Sequence, residues 1–232
     1  MRILIWDFDG TLGRRRGAWT GALVDVLERQ GIFCDRDRLR PWIQSGFPWH
    51  MPDRIRPRGE SADVWWERLE PVFARAFEQA AGIPADSARR LATEVRAMYL
   101  ASEHWELFDD THDVLSALSD RGWKHFLLTN HVPELPAILS HLGIAPRLDR
   151  IFNSAETGVE KPHVAAFQNV LAHLPEERTV WMIGDNIVAD VRGAEAHGIP
   201  AILVRSRHSD ARHSCNDLRE LLTLLACKLD QN

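Results

Sequence analysis

The chain has 232 residues, 45% of them apolar and 26% charged, with a formal net charge of −5. This is ordinary globular composition for one large or two small domains, and the acidic balance argues against nucleic acid or an anionic membrane as the main partner. No apolar run is long enough to span a bilayer, and the N-terminal one is too short for a signal peptide. The three cysteines (Cys34, Cys215, Cys227) are odd in number and form no CxxC pair, which fits a reducing cytoplasm.

The first element is Arg2-Ile3-Leu4-Ile5-Trp6, an apolar run ending abruptly in Asp7-Phe8-Asp9-Gly10-Thr11-Leu12. Such a run, bounded by a turn signal, predicts a buried parallel strand. Gly13-Arg14-Arg15-Arg16-Gly17 follows as a basic turn. It is either a solvated charge run or an anion-recognising loop, because arginine pairs bidentately with phosphate and carboxylate. A helix is expected from Ala18 to Gln30, an Arg- and Pro-rich loop over 35–59, and helices over 61–79 and 86–99. The absence of any alternating segment between Ala18 and Tyr99 makes this region a helical insert. Its tryptophans (Trp42, Trp49, Trp65, Trp66, with Trp105 just beyond) are expected mostly in its core, with one or two free to stack on a ring.

Strands and helices then alternate. A helix over 112–121 precedes a strand from Trp123 to Leu128 that closes on Thr129-Asn130, and a helix over 133–142 follows. After a short strand over 150–153, Lys161-Pro162 opens the next helix with its proline in the first turn. A strand over 179–183 ends in Gly184-Asp185-Asn186, followed by a helix over 187–197, a strand over 201–204 and a last helix from Asp217 to Cys227. Such alternation means βαβ units and a parallel sheet. The stretch His208–His213 reads as a polar loop. The expected fold is therefore α/β: a Rossmann-like parallel sheet core (1–14 and 103–232) with an inserted α-helical cap (15–102).

Ligands of open α/β sheets bind at the carboxyl ends of the strands. That rule gathers Asp7 and Asp9, Thr129 and Asn130, Lys161, Asp185 and Asp190. Taken singly, each has a plain structural reading: a turn, a helix cap, a surface lysine. Together they fit phosphoryl transfer through a covalent intermediate. Asp7 is the candidate nucleophile and Asp9 the acid and base. Thr129 donates to a phosphoryl oxygen, and Lys161 offsets charge on phosphate and nucleophile. Mg²⁺ suits oxygen ligands bridging to phosphate, and Asp7, Asp9 (through its backbone carbonyl), Asp185 and Asp190 are its candidate ligands. Gly10, Thr11, Asn130, Arg14 and Arg15 are assigned to substrate binding, and His131 either reaches the substrate too or, as the plainer reading, is a surface or helix-start residue.

These residues resemble the haloacid dehalogenase-like superfamily. Asp7-Phe8-Asp9-Gly10-Thr11-Leu12 is similar to its first motif, Leu127-Leu128-Thr129-Asn130 to the second and Glu160-Lys161-Pro162 to the third. Gly184-Asp185-Asn186 with Asp190 is similar to the fourth. The resemblance implies the fold, the helical cap, Mg²⁺ dependence and phosphatase activity. An acid at Asp9 favours phosphoryl transfer over dehalogenation, since a leaving halide needs no proton. A sugar phosphomutase and a non-catalytic phosphate-binding module are the alternatives. The expected partner is a small phosphorylated metabolite, a sugar phosphate or nucleotide-like molecule, bound by a monomer or homodimer.

Overall fold

The computed structural model describes residues 1–229. Its main sheet takes β1 (Arg2–Trp6), β4 (Trp123–Thr129), β5 (Arg150–Asn153), β6 (Thr179–Gly184), β7 (Ala201–Val204) and β8 (Ser214–Cys215), in the order β5-β4-β1-β6-β7-β8. Every pair is parallel. β1 lies at the centre because all its side chains after Arg2 are apolar, so it tolerates burial on both faces. Ile3 and Ile5 face one apolar cluster, while Leu4, Trp6 and Phe8 face the other.

The register sets the site. Trp6 stands level with Leu127 of β4 and Ile183 of β6, and the Asp7 amide extends the ladder by donating to the Ile183 carbonyl at 2.9 Å. The residues that follow β1, β4 and β6 therefore emerge side by side at one edge.

Helices cover both faces and build the insert. They are α1 (Ala18–Arg29), α2 (Arg36–Leu39), α3 (Ala62–Glu67), α4 (Glu70–Ala81), α5 (Ala85–Leu100), α6 (Thr111–Asp120), α7 (Leu135–His141), α8 (Ser154–Thr157), α9 (Val164–Leu171), α10 (Gly193–Glu195) and α11 (Leu221–Leu229). Among the described residues, no helix is long and apolar enough to cross a membrane. Cys34 and Cys215 are buried free thiols.

Several expectations need correction. The helix expected over 61–79 is two helices, because Pro71 lacks an amide hydrogen and starts α4 afresh. The 35–59 loop contains α2 and two 3₁₀ turns, Arg40–Ile43 and Pro48–His50. The expected helix over 187–197 begins as a π-helical turn, Ile187–Arg192, before α10. Pro162 does not open α9, which starts at Val164 with the His163 side chain accepting from the Ala165 amide. The backbone of Lys161 is held outside the helix by Asn130, whose side chain accepts from its amide (2.7 Å) and donates to its carbonyl (2.9 Å).

The basic turn is a strand. Gly13–Arg15 (β2) pairs antiparallel with Trp105–Leu107 (β3), so a two-stranded ribbon carries the chain out to the helical insert and back.

Candidate active site

At the carboxyl edge of β1, β4 and β6 lies a cavity of about 550 Å³, lined by Asp7, Asp9, Thr129, Asn130, His131, Lys161, Asp185, Asn186 and Asp190 from the sheet side. Trp19, Trp49, His50, Pro52 and Tyr99 line it from the insert.

Phe8 turns into the core and is fully buried, so Asp7 and Asp9 both reach the cavity from a turn that reverses immediately. The Thr11, Leu12 and Gly13 amides all donate to the Phe8 carbonyl, at 2.9 to 3.1 Å. Gly10 has φ of 87° and lies so close to Asp185 that a Cβ there would collide with the carboxylate. Only glycine meets both demands. From outside, the Arg205 guanidinium donates to the Thr11 carbonyl at 2.9 Å and pins the turn.

Lys161 is the electrostatic centre of the floor. Its ammonium donates to Asp7 Oδ1 at 2.7 Å and to Asp190 Oδ1 at 2.6 Å, and it is 3% exposed. Burial alone would push its pKa down, but Asp190 and Asp7 reverse this and hold it above the ordinary lysine value. Asp190 Oδ2 accepts from the Asn186 amide at 3.0 Å. The wide turn over 187–192 thus brings a carboxylate back towards the sheet edge, the kind of site where π-turns concentrate.

One ammonium faces four carboxylates. Burial, with Asp7 beside it, raises Asp9 to about 7. Burial, Asp7 and Asp190 raise Asp185 to about 7 as well. Asp190 rises to about 6, burial and Asp7 outweighing Lys161. The negative charge exceeds what one ammonium balances, and the oxygen donors to bind a cation are there. Asp7, Asp185 and Asp190 each place a carboxylate oxygen within 4.8 Å of the others, an all-oxygen set that fits a hard divalent cation. The Asp9 carboxylate stands outside this set.

Among the described residues, two buried polar side chains beside the carboxylates make no close hydrogen bond: the Thr129 hydroxyl and the ring of His131, on which the Val132 backbone acts from farther off. Buried polar groups are normally satisfied, so an unpaired hydroxyl lining a cavity is available to a ligand. His131 is 3% exposed, correcting the surface reading. Its ring packs edge-on against Phe8, with centroids 5.5 Å apart. Burial lowers it to about 4, against the opposing pull of Asp7, so the ring is neutral.

The remaining predicted residues are placed differently. Asn130 lines the cavity, but its amide is engaged with the Lys161 backbone. Thr11 is fully buried and donates to Asp185 Oδ1 over a long 3.4 Å, so it and Gly10 act on the cavity through Asp185. Arg15 is structural. Its guanidinium is 1% exposed, paired with Asp25 at 2.6 Å, and donates to the Tyr99, Met98, Arg16 and Ala18 carbonyls. Arg14 projects outward to Glu106 at 2.8 Å. Strand alternation explains both, since neighbouring residues of β2 point to opposite sides.

Sequence reasoning missed Tyr99 and His50 as cavity residues, did not single out Trp19, and preferred the surface reading of His131 to its reaching the substrate. The available signal for Trp19 and Tyr99 was their position at the two ends of the insert, which the topology returns to the same edge. Of the tryptophans, Trp65, Trp66 and Trp105 are buried in the core, whereas Trp49 is half-buried against the cavity.

A family model for the haloacid dehalogenase-like hydrolases matches residues 1–198. The chain belongs to the haloacid dehalogenase-like hydrolases. It is 34% identical to a phosphoserine phosphatase of Thermus thermophilus over 94% of this chain and 95% of that one. It is 33% identical to a ribulose-1,5-bisphosphate 5-phosphatase of Halopiger xanaduensis, over 92% and 89% respectively. The fold is shared with the HAD-hydrolase YfnB of Bacillus subtilis, solved bound to magnesium, with a TM-score of 0.76, 22% identity and coverage of 97% and 98%. This member of the haloacid dehalogenase-like hydrolases is therefore an enzyme with a parallel α/β core.

Proposed function

We propose that this hydrolase is a Mg²⁺-dependent phosphatase that cleaves a small phosphate monoester through an aspartyl-phosphate on Asp7. The observation that carries the reading is Asp7 itself: buried at the floor, with Oδ1 engaged by a lysine and a second acid two residues on. With Oδ1 held, Oδ2 is the atom that attacks phosphorus as the bond to the ester oxygen breaks. Asp9 gives its proton to the departing alkoxide, which leaves as the alcohol. Asp9, now a carboxylate, takes a proton from water, whose oxygen attacks phosphorus and breaks the bond to Asp7, releasing phosphate. A group that must hold a proton and then accept one works best with a pKa near the working pH, and Asp9 lies at about 7.

Thr129 supplies its unspent hydroxyl to a phosphoryl oxygen, and Lys161 offsets the charge of nucleophile and phosphate. Asp7, Asp185 and the Asp9 carbonyl would hold Mg²⁺, with Asp190 in support while it anchors Lys161. The bound ion would neutralise phosphate oxygens and so permit one anion to attack another. Residues 15–102 serve as a cap over the cavity. Buried, unbridged thiols suit a cytoplasmic enzyme acting on a phosphorylated metabolite as a monomer or homodimer.

The test is hydrolysis of p-nitrophenyl phosphate and simple alkyl phosphates with Mg²⁺ and with EDTA, beside Asp7→Asn. Turnover is expected only with metal, and the variant should lose about 10⁴-fold or more while keeping the wild-type fold by circular dichroism. Appreciable activity in Asp7→Asn would overturn the assignment of the nucleophile.

A further inference from the structure

Above the phosphate-binding floor, the cavity continues between Trp19, Trp49, His50, Pro52 and Tyr99 of the insert and Val132 and Val188 of the core. This is where the alcohol part of the ester must lie. If the substrate carried a second anion, a carboxylate or another phosphate, this wall would have to offer a cation, because a buried charge is costly without a partner. Among the described residues lining the cavity, the one lysine or arginine is Lys161, committed to Asp7 and Asp190. His50 is no substitute. Its Nδ1 accepts from the Phe47 amide at 3.3 Å, an arrangement that requires the neutral ring. The two arginines assigned to the substrate from the sequence, Arg14 and Arg15, are paired with Glu106 and Asp25 instead.

What the wall offers is aromatic surface. Trp19 stacks on Tyr99 with centroids 3.8 Å apart and an interplanar angle of 17°. Trp49 stands 6.0 Å from Trp19 and stacks on Phe47 at 4.8 Å and 21°. Both tryptophans are half-buried, with ring surface left towards the cavity. Beside them lies the buried, neutral ring of His131, whose nitrogens make no close hydrogen bond among the described residues, with the Val132 backbone the nearest polar neighbour that acts on it. An apolar, planar wall with a neutral imidazole at its foot matches an uncharged ring with polar edge groups.

We propose that the preferred substrates are monophosphates whose leaving group is uncharged and carries a planar ring, as in a nucleoside monophosphate, with Trp49 as a specificity-determining residue. This rests on the phosphatase reading above.

The experiment compares kcat/KM of the full-length enzyme with Mg²⁺ on uridine 5′-monophosphate, glycerol 2-phosphate, phosphoglycolate and fructose 1,6-bisphosphate, with p-nitrophenyl phosphate as a control for turnover. The ring-bearing monophosphate is expected to exceed each of the others by about tenfold, the size of one aromatic contact. Trp49→Ala should lower the ratio of uridine 5′-monophosphate to glycerol 2-phosphate about fivefold, mainly through KM, and Trp49→Phe should restore most of it. A purely structural role would move both substrates equally. Equal or faster hydrolysis of phosphoglycolate or the bisphosphate would overturn the inference, as would a Trp49→Ala variant with an unchanged ratio. In either case hydrolysis of p-nitrophenyl phosphate would leave the phosphatase reading standing. Absence of metal-dependent turnover on every ester would overturn both.

Discussion

At the floor of the cavity, position is enforced by charge: Lys161 is clamped between Asp7 and Asp190, and Asn130 holds its backbone at two points. At the wall, Trp19, Trp49 and Tyr99 are held by contact between rings. Ion pairs buried this deeply fix atoms to fractions of an ångström and tolerate no exchange, since removing one partner leaves the other charged and buried. Ring packing is forgiving, and volume-conserving swaps usually cost little. The floor can thus keep one chemistry while the wall changes its substrate.

The floor should break hardest. Asp9→Asn is expected to cost 10²- to 10⁴-fold in kcat/KM for an alkyl phosphate and much less for p-nitrophenyl phosphate, whose leaving group needs no proton. Values of kcat/KM on the two esters, which read the expulsion of the alcohol and not the later attack of water common to both, check this, and equal losses in them would remove the acid from the mechanism.

Arg15 sharpens the boundary between floor and scaffold. Arg15→Met strands Asp25 and leaves several backbone carbonyls unsatisfied, so a loss of about 3–5 kcal/mol in chemical denaturation is expected. The KM of the fraction that remains folded should stay near wild type. A large rise in KM with intact stability would return Arg15 to the substrate.

A third test addresses the core beneath the site. His125 accepts from the Trp6 indole at Nδ1 (3.0 Å), while its Nε2 faces the Leu115 carbonyl at 3.1 Å. The ring must therefore be neutral when folded. Burial lowers it to about 4 from the ordinary 6.5. Between those values the unfolded chain binds the extra proton, so stability falls as pH drops through this window, by at most about 1.4 kcal/mol per pH unit from this group. Above pH 6.5 it contributes in full. Urea midpoints of wild type and His125→Gln across pH 4–7 should differ in slope, with the wild type the steeper. The smallest effect is expected from Arg14→Ala, whose exposed partner Glu106 leaves stability and kcat/KM within about 0.5 kcal/mol of wild type.

How far the amino-acid sequence announced this arrangement depended on the length of the element carrying each residue. Asp7, Thr129 and Asp185 were legible because each ends a strand of five to seven residues whose apolar run is unmistakable. β2 and β3 have three residues each and carry charge. Nothing in their periodicity separates them from a turn, and Arg15 was accordingly assigned to substrate binding rather than to the buried side of a ribbon. His131 follows directly after Thr129-Asn130, where no periodicity says which way a side chain turns. The wide turn that brings Asp190 to Lys161 has the same composition as an ordinary helix, so its carboxylate could be placed near the site but its grip on the lysine could not be foreseen.

One contact between insert and core joins these two regions. Arg56, on the long segment that also bears Trp49, is buried and donates to Glu160, the residue before Lys161, and to the Ser154 carbonyl at 3.1 Å. Its own amide donates to the Gly158 carbonyl at 2.8 Å, and a Cβ on Gly158 would run into the Arg56 carbonyl. The segment is thereby stapled to the loop that delivers the Lys161 ammonium to the cavity floor. Its free length, measured from that staple back to Trp49, acts like a ruler. Adding or deleting a residue there would shift the aromatic surface relative to Asp7, while the same staple kept the lysine in place.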